Sequence, residues 1–146
     1  MISYLRHEFS FNASHSSFGA GAGSHHHTFL VTCIFECYGN SEEERRAVEM
    51  DAESWIGAFI KGFDGQFLDD LVYFGGAYPS VELMGDMFFE TIRAELKKKN
   101  AILCELDISD SPTTYYQVSD RIMLTNLNDN ISVKNYDMLM RLMERI

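Results

Sequence analysis

Positive charge is what this sequence has least of. Its 12 Lys and Arg face 22 Asp and Glu, for a formal net charge of −10. A nucleic-acid surface needs clustered cations. The basic runs here are short: Arg45-Arg46 and Lys97-Lys98-Lys99. Both read as solvated surface, and the second falls where a helix is expected to end, which suits the helix dipole. Nucleic-acid partners are excluded on this ground. Long apolar runs are also missing, and none approaches the ~18 to 20 residues of a membrane span. The opening MISYLRHEF lacks the basic-then-apolar layout of a signal peptide, so a cytoplasmic protein is expected. Cysteine is scarce: Cys33, Cys37 and Cys104. An odd count without an export pattern predicts reduced thiols, and their apolar, strand-like settings predict buried small hydrophobes. Finally, Ser16 to Ser24 (SSFGAGAGS) contains no carboxylate; its three glycines predict a flexible loop.

What is present suits one domain. The 146 residues are 46% hydrophobic and 23% charged, ordinary for a soluble globular chain with a core of its own. Residues 2–13 alternate, with Leu5, His7, Phe9, Phe11 and Ala13 on one parity, and predict a strand. Residues 27–38 predict a second, with Phe29, Val31, Cys33, Phe35 and Cys37 facing one way. Gly39-Asn40 and the acidic run SEEERR mark a turn. Asp51 reads as the N-cap of a first helix with Trp55, Ile56, Phe59, Ile60 and Phe63 at helical spacing. After a connection at 66–79, Ser80 caps a second helix with the stripe Met84, Phe88, Ile92 and Leu96. Residues 101–109 alternate again, with Ile102, Cys104, Leu106 and Ile108 expected inward. Residues 113–120 predict a last strand, and Lys134 to Ile146 a short third helix. The order β-β-α-α-β-β predicts an α+β domain over residues 1–120, an antiparallel four-stranded sheet with two helices on one face. Residues 121–146 form a C-terminal extension.

The chemistry concentrates near the start. All five histidines lie within the first 27 residues: His7, His15, His25, His26 and His27. Side chains two apart on a strand share a side, so His25 and His27 face together and His26 faces away. A hairpin returns His15 beside them. Three converging imidazoles with a fourth position open is the layout of a catalytic zinc site.

At this point a family resemblance enters. Phe11-Asn12-Ala13-Ser14-His15 resembles the F-x-A-x-H element of the 6-pyruvoyltetrahydropterin synthase and 6-carboxytetrahydropterin synthase family. His25-His26-His27-Thr28-Phe29 resembles its H-G-H-x-Y element, and Val48-Glu49-Met50-Asp51 its lead into the first helix. Leu68-Asp69-Asp70-Leu71 resembles L-D-H-x-x-L, and Pro79-Ser80-Val81-Glu82 resembles P-T-x-E. Ser109-Asp110-Ser111-Pro112 sits where the family has a glutamate followed by Thr and often Pro. The resemblance spans roughly residues 5 to 120, in order.

It implies the tunnelling fold, homo-oligomers (commonly hexamers) with sites between subunits, and zinc on His15, His25 and His27. It implies a lyase acting on dihydroneopterin triphosphate or a related pterin, with Asp110 anchoring the ring; a carboxylate can accept two hydrogen bonds from a guanidine-like edge. Glu82 would orient the substrate or a neighbouring group. The chain departs from the pattern twice. Gly21 stands where many members have a cysteine, and Asp70 replaces the histidine of L-D-H. Asp69 and Asp70 are the candidates left for proton transfer, their adjacency expected to push one pKa upward. Two other classes stay open: a non-catalytic pterin- or metal-binding protein, and an aldolase-like activity on the same scaffold.

Overall fold

Alternation drives the first hairpin. In the computed structural model, which describes residues 4–16 and 23–120, strand β1 spans Leu5–Ser16 and β2 spans Ser24–Cys37. Both reach further toward the glycine-rich connection than their apolar patterns do, so the histidines lie inside the strands. The pairing is antiparallel and unbroken from Leu5↔Phe35 to Ser16↔Ser24. Phe11, Ala13, Phe29, Val31, Cys33 and Phe35 all turn to one face and are buried.

Helix α1 covers Glu42–Lys61, one correction to the sequence reading. Asp51 lies in mid-helix rather than at the cap. The N-cap is Ser41, whose hydroxyl accepts the Glu44 N–H at 3.1 Å, while the Glu44 carboxylate accepts the Asn40 N–H at 2.7 Å. Glu42, Glu43 and Glu44 then occupy the positive end of the helix dipole. The acidic run taken for a turn is the helix's first turn.

Gly65, at φ +74°, turns the chain back toward β1 in a left-handed conformation that glycine adopts without strain. Two 3₁₀ turns follow, Leu68–Asp70 and Val72–Phe74. Helix α2, Val81–Lys97, is capped by Ser80 as expected, its hydroxyl accepting the Leu83 N–H at 3.1 Å. Its stripe of Met84, Phe88, Ile92 and Leu96 is fully buried.

Strand β3 (Ala101–Ser109) pairs antiparallel with β2, and β4 (Tyr116–Ser119) with β3, giving the sheet order β1-β2-β3-β4. β4 is shorter than the 113–120 expected. β3 carries a second correction: Ile34 pairs with Glu105 and Phe35 with Leu103, so Cys104 is an extra residue. One inserted residue flips the parity of everything before it. Ala101 and Leu103 therefore join the core cluster in place of Ile102, Cys104 stays buried as the extra residue, and Leu106 and Ile108 keep their expected places.

The two helices cover one face of the sheet, and the core between them is aromatic: Phe11 stacks on Phe29 at 4.8 Å and Phe63 meets Phe88 at 4.8 Å. The cysteines form no disulfide. Burial pushes the Cys33 thiol up to about 12, and the half-buried Cys37 up to about 11; neither is a reactive thiolate. No helix among the described residues is long and apolar enough to cross a membrane. The expected extension at 121–146, with its helix, lies outside the described residues.

Candidate metal centre

The unbroken β1–β2 register sets His15 opposite His25, with His27 two residues along, opposite Ala13. His25 and His27 are half-buried on the helix-facing side, and His26 is exposed on the other. One ligand nitrogen from each of His15, His25 and His27 lies within 4.8 Å of the others. The rings meet edge to face, with centroids 4.5 to 5.2 Å apart.

His15 is 3% exposed. Its Nδ1 lies 3.0 Å from the carbonyl oxygen of Pro79. A carbonyl only accepts, so Nδ1 donates, and this is the tautomer that leaves Nε2 as the ligand atom of a neutral ring. That Nε2 is buried with no hydrogen-bond partner, and so is Nε2 of His27. Leaving buried polar atoms unsatisfied is costly. Two such atoms in one histidine cluster fit a divalent cation, which imidazole nitrogens bind at roughly 2.0 to 2.1 Å. His27 also hydrogen-bonds the Asp110 backbone. Burial lowers its pKa, His25 and His15 add to that effect, and Asp110 opposes it. A neutral ring is the form that binds metal.

His15 is clamped from the other edge of β1. Gly65 N–H donates to Asn12 O at 2.6 Å, Asn12 N–H to the Asp64 carboxylate at 2.8 Å, and Ser14 N–H to Gln66 O at 3.0 Å. Asp69 closes the series. One carboxylate oxygen accepts the Ser16 N–H at 2.9 Å, and the other accepts the Ser16 hydroxyl. Burial alone would raise the Asp69 pKa, but the Ser16 hydrogen bonds outweigh it and hold the carboxyl below the usual range. The upward shift expected from adjacency to Asp70 is therefore not what Asp69 shows. Asp70 is exposed.

The sign gives a test. A carboxyl depressed in the folded state stabilises it above the unfolded pKa, ~3.9, and loses that effect as pH falls through the folded value. Asp69→Asn should melt below the parent at pH 7, and the gap between the two should close as acid protonates the folded Asp69 carboxyl. A gap that stays equal in acid would break the assignment.

Beside the histidines opens a cavity of about 650 Å³, lined by His15, Tyr78, Ser80, Glu82, Asp110 and Tyr116 among others. That size suits a small heterocycle. The cavity brings together His15, Glu82 and Asp110, three residues singled out from sequence. Glu82 sits exposed in the first turn of α2, and Asp110 follows the end of β3.

Three tyrosines in the lining, Tyr78, Tyr115 and Tyr116, were missed by the sequence reading. Tyr78 stacks on His15 at 5.7 Å and 13°. Burial raises its pKa, helped by Asp69, Asp110 and Glu82. Its only sequence signal is its place before Pro79. Tyr116 donates to Asp86 at 2.8 Å and lies against Gly85, where an added Cβ would come within 2.6 Å of its ring. Gly85→Ala should therefore push Tyr116 off the helix and cost about 1 to 3 kcal/mol, read by denaturant unfolding. An unchanged midpoint would show the wall to be soft.

Comparison with known proteins follows the same outline. The family model of 6-pyruvoyl tetrahydropterin synthase matches residues 4–121. The chain is similar in structure to 6-pyruvoyl tetrahydropterin synthase from Caenorhabditis elegans, at TM-score 0.59 and 14% identity, over 80% of this chain and 94% of that one. An uncharacterised protein from Wolinella succinogenes gives TM-score 0.64 at 12% identity, over 83% and 99%. The Plasmodium vivax 6-pyruvoyl tetrahydropterin synthase gives 0.53 at 14%, over 82% and 98%. At these identities the structural likeness is one of fold. No curated protein matches the chain.

Proposed function

Because the chain belongs to the 6-pyruvoyl tetrahydropterin synthase family, whose tunnelling fold it shares, we propose that it is a zinc-dependent enzyme transforming a pterin by lyase-type chemistry. One observation carries the reading. Buried Nε2 atoms of His15 and His27 lack hydrogen-bond partners in one three-histidine cluster, and His15 lines a cavity together with Asp110 and Glu82. His15, His25 and His27 would hold the ion. Bound there, zinc supplies a Lewis acid that polarises a substrate oxygen.

The remaining roles belong to the chain's own side chains. Asp110 accepts hydrogen bonds from the guanidine-like edge of the ring and fixes its orientation. Glu82 orients the substrate from the first turn of α2. Tyr78, held against His15, offers an aromatic face along the cavity wall. Proton transfer falls to the Asp69–Asp70 pair, and Asp69, held ionised by Ser16, also fixes the end of β1 beside His15. The chain works as a homo-oligomer, a hexamer by family likeness.

The engagement of both Asp69 oxygens by Ser16 favours a second reading, a protein that binds a pterin without transforming it. Incubating zinc-loaded protein with 7,8-dihydroneopterin or its triphosphate, and following the pterin by chromatography, separates the two. A new pterin product supports the enzyme. Tight binding with no product supports the binding protein. No binding of either pterin overturns both.

A further inference from the structure

The cavity's electrical sign has a consequence for its ligand. Glu82 and Asp110 line it, and no Lys or Arg does so among the described residues. Asp69, Asp110 and Glu82 act together on Tyr78, and Glu82 and Asp86 on Tyr116, so both aromatic walls sit in a negative field. Several described cations pair with carboxylates outside the cavity lining. Arg93 pairs with Asp120 at 2.7 Å, Lys99 with Asp51 at 3.5 Å, and Arg46 with Glu42 at 3.2 Å. The positive end of α2 points at the cavity, but Ser80 caps the Leu83 N–H there and Glu82 sits in its first turn.

A triphosphate is the opposite of what such a pocket binds. Phosphate sites use Arg and Lys, or open N–H groups at a helix start. Even one divalent ion on the three histidines leaves the Asp110 and Glu82 carboxylates facing a polyanion. A neutral, hydroxylated side chain meets no such repulsion, and carboxylates accept hydrogen bonds from hydroxyl groups.

We propose that the site selects an uncharged, unphosphorylated pterin with a hydroxylated side chain and rejects phosphorylated forms, with Glu82 as a residue that sets this choice. The proposal rests on the pterin reading above and narrows it. The reaction that supplies this substrate must then be a phosphate-ester hydrolysis, since the phosphates are gone before the ligand arrives.

The test is fluorescence titration of the zinc-loaded protein with 7,8-dihydroneopterin and with its triphosphate, at about 50 mM and 500 mM salt. At low salt the triphosphate should bind roughly tenfold or more weaker, from the repulsion of several charges at short range. Salt screens repulsion, so raising it should strengthen triphosphate binding and leave the neutral pterin unmoved. Glu82→Gln should narrow the ratio at low salt. A triphosphate that binds as tightly at low salt, or that salt weakens, overturns the charge selection and leaves the pterin reading standing. A ratio unmoved by Glu82→Gln removes Glu82 from the role. If neither pterin binds, the selection and the pterin reading fall together.

Discussion

Alanine at His15 should take bound zinc from about one ion per chain to almost none after dialysis, measured by atomic absorption. Structural and catalytic zinc sites rest on three or four protein ligands. His15 is the one that is nearly fully buried and fixed by a second contact, Pro79 O on Nδ1. Losing such a contact alone typically costs ~10- to 100-fold in metal affinity, and losing the ligand costs more. His26→Ala is the control, since His26 is exposed on the opposite side of β2 and should leave zinc content unchanged. If His15→Ala retains a full complement of metal, or His26→Ala loses it, the three-histidine centre is wrong.

Asp110→Ala should weaken pterin binding about 100-fold while leaving the metal in place. Two charge-assisted hydrogen bonds to one ring edge account for roughly 3 kcal/mol or more, which is that ratio. The two effects separate because the Asp110 backbone that hydrogen-bonds His27 survives substitution, while the side-chain charge, felt both by His27 and in the cavity, is lost. Asp110→Asn keeps the shape and one acceptor but loses the charge, so it should fall between the two. The measurement is fluorescence titration with 7,8-dihydroneopterin alongside zinc analysis of the same sample. Affinity within twofold of the parent would take the anchoring role from Asp110.

The histidine cluster was legible in the sequence because strand geometry is nearly digital. A two-residue spacing puts His25 and His27 on one side whatever surrounds them, and a hairpin has to bring His15 close. The stripe on α2 was legible for a similar reason, since Met84, Phe88, Ile92 and Leu96 repeat at helical spacing and Ser80 is a strong cap. The start of α1 was misplaced because Asp51 and Ser41 are both good caps by type. The contact from Ser41 to Glu44 decides between them. The parity of β3 was misread because a bulge at Cys104 leaves no mark in a strand whose residues are apolar on both sides of it.

By itself, then, the sequence determined the order of elements, the histidine triad and the acidic character of the chain. These depend on short-range periodicity and composition. The tertiary structure alone decided which carbonyl sets the His15 tautomer, that Ser16 occupies both oxygens of Asp69, and that Tyr78 and Tyr116 wall the cavity. Each of these joins residues 30 or more positions apart. No local pattern encodes such a pairing; it exists only once the sheet and helices have packed.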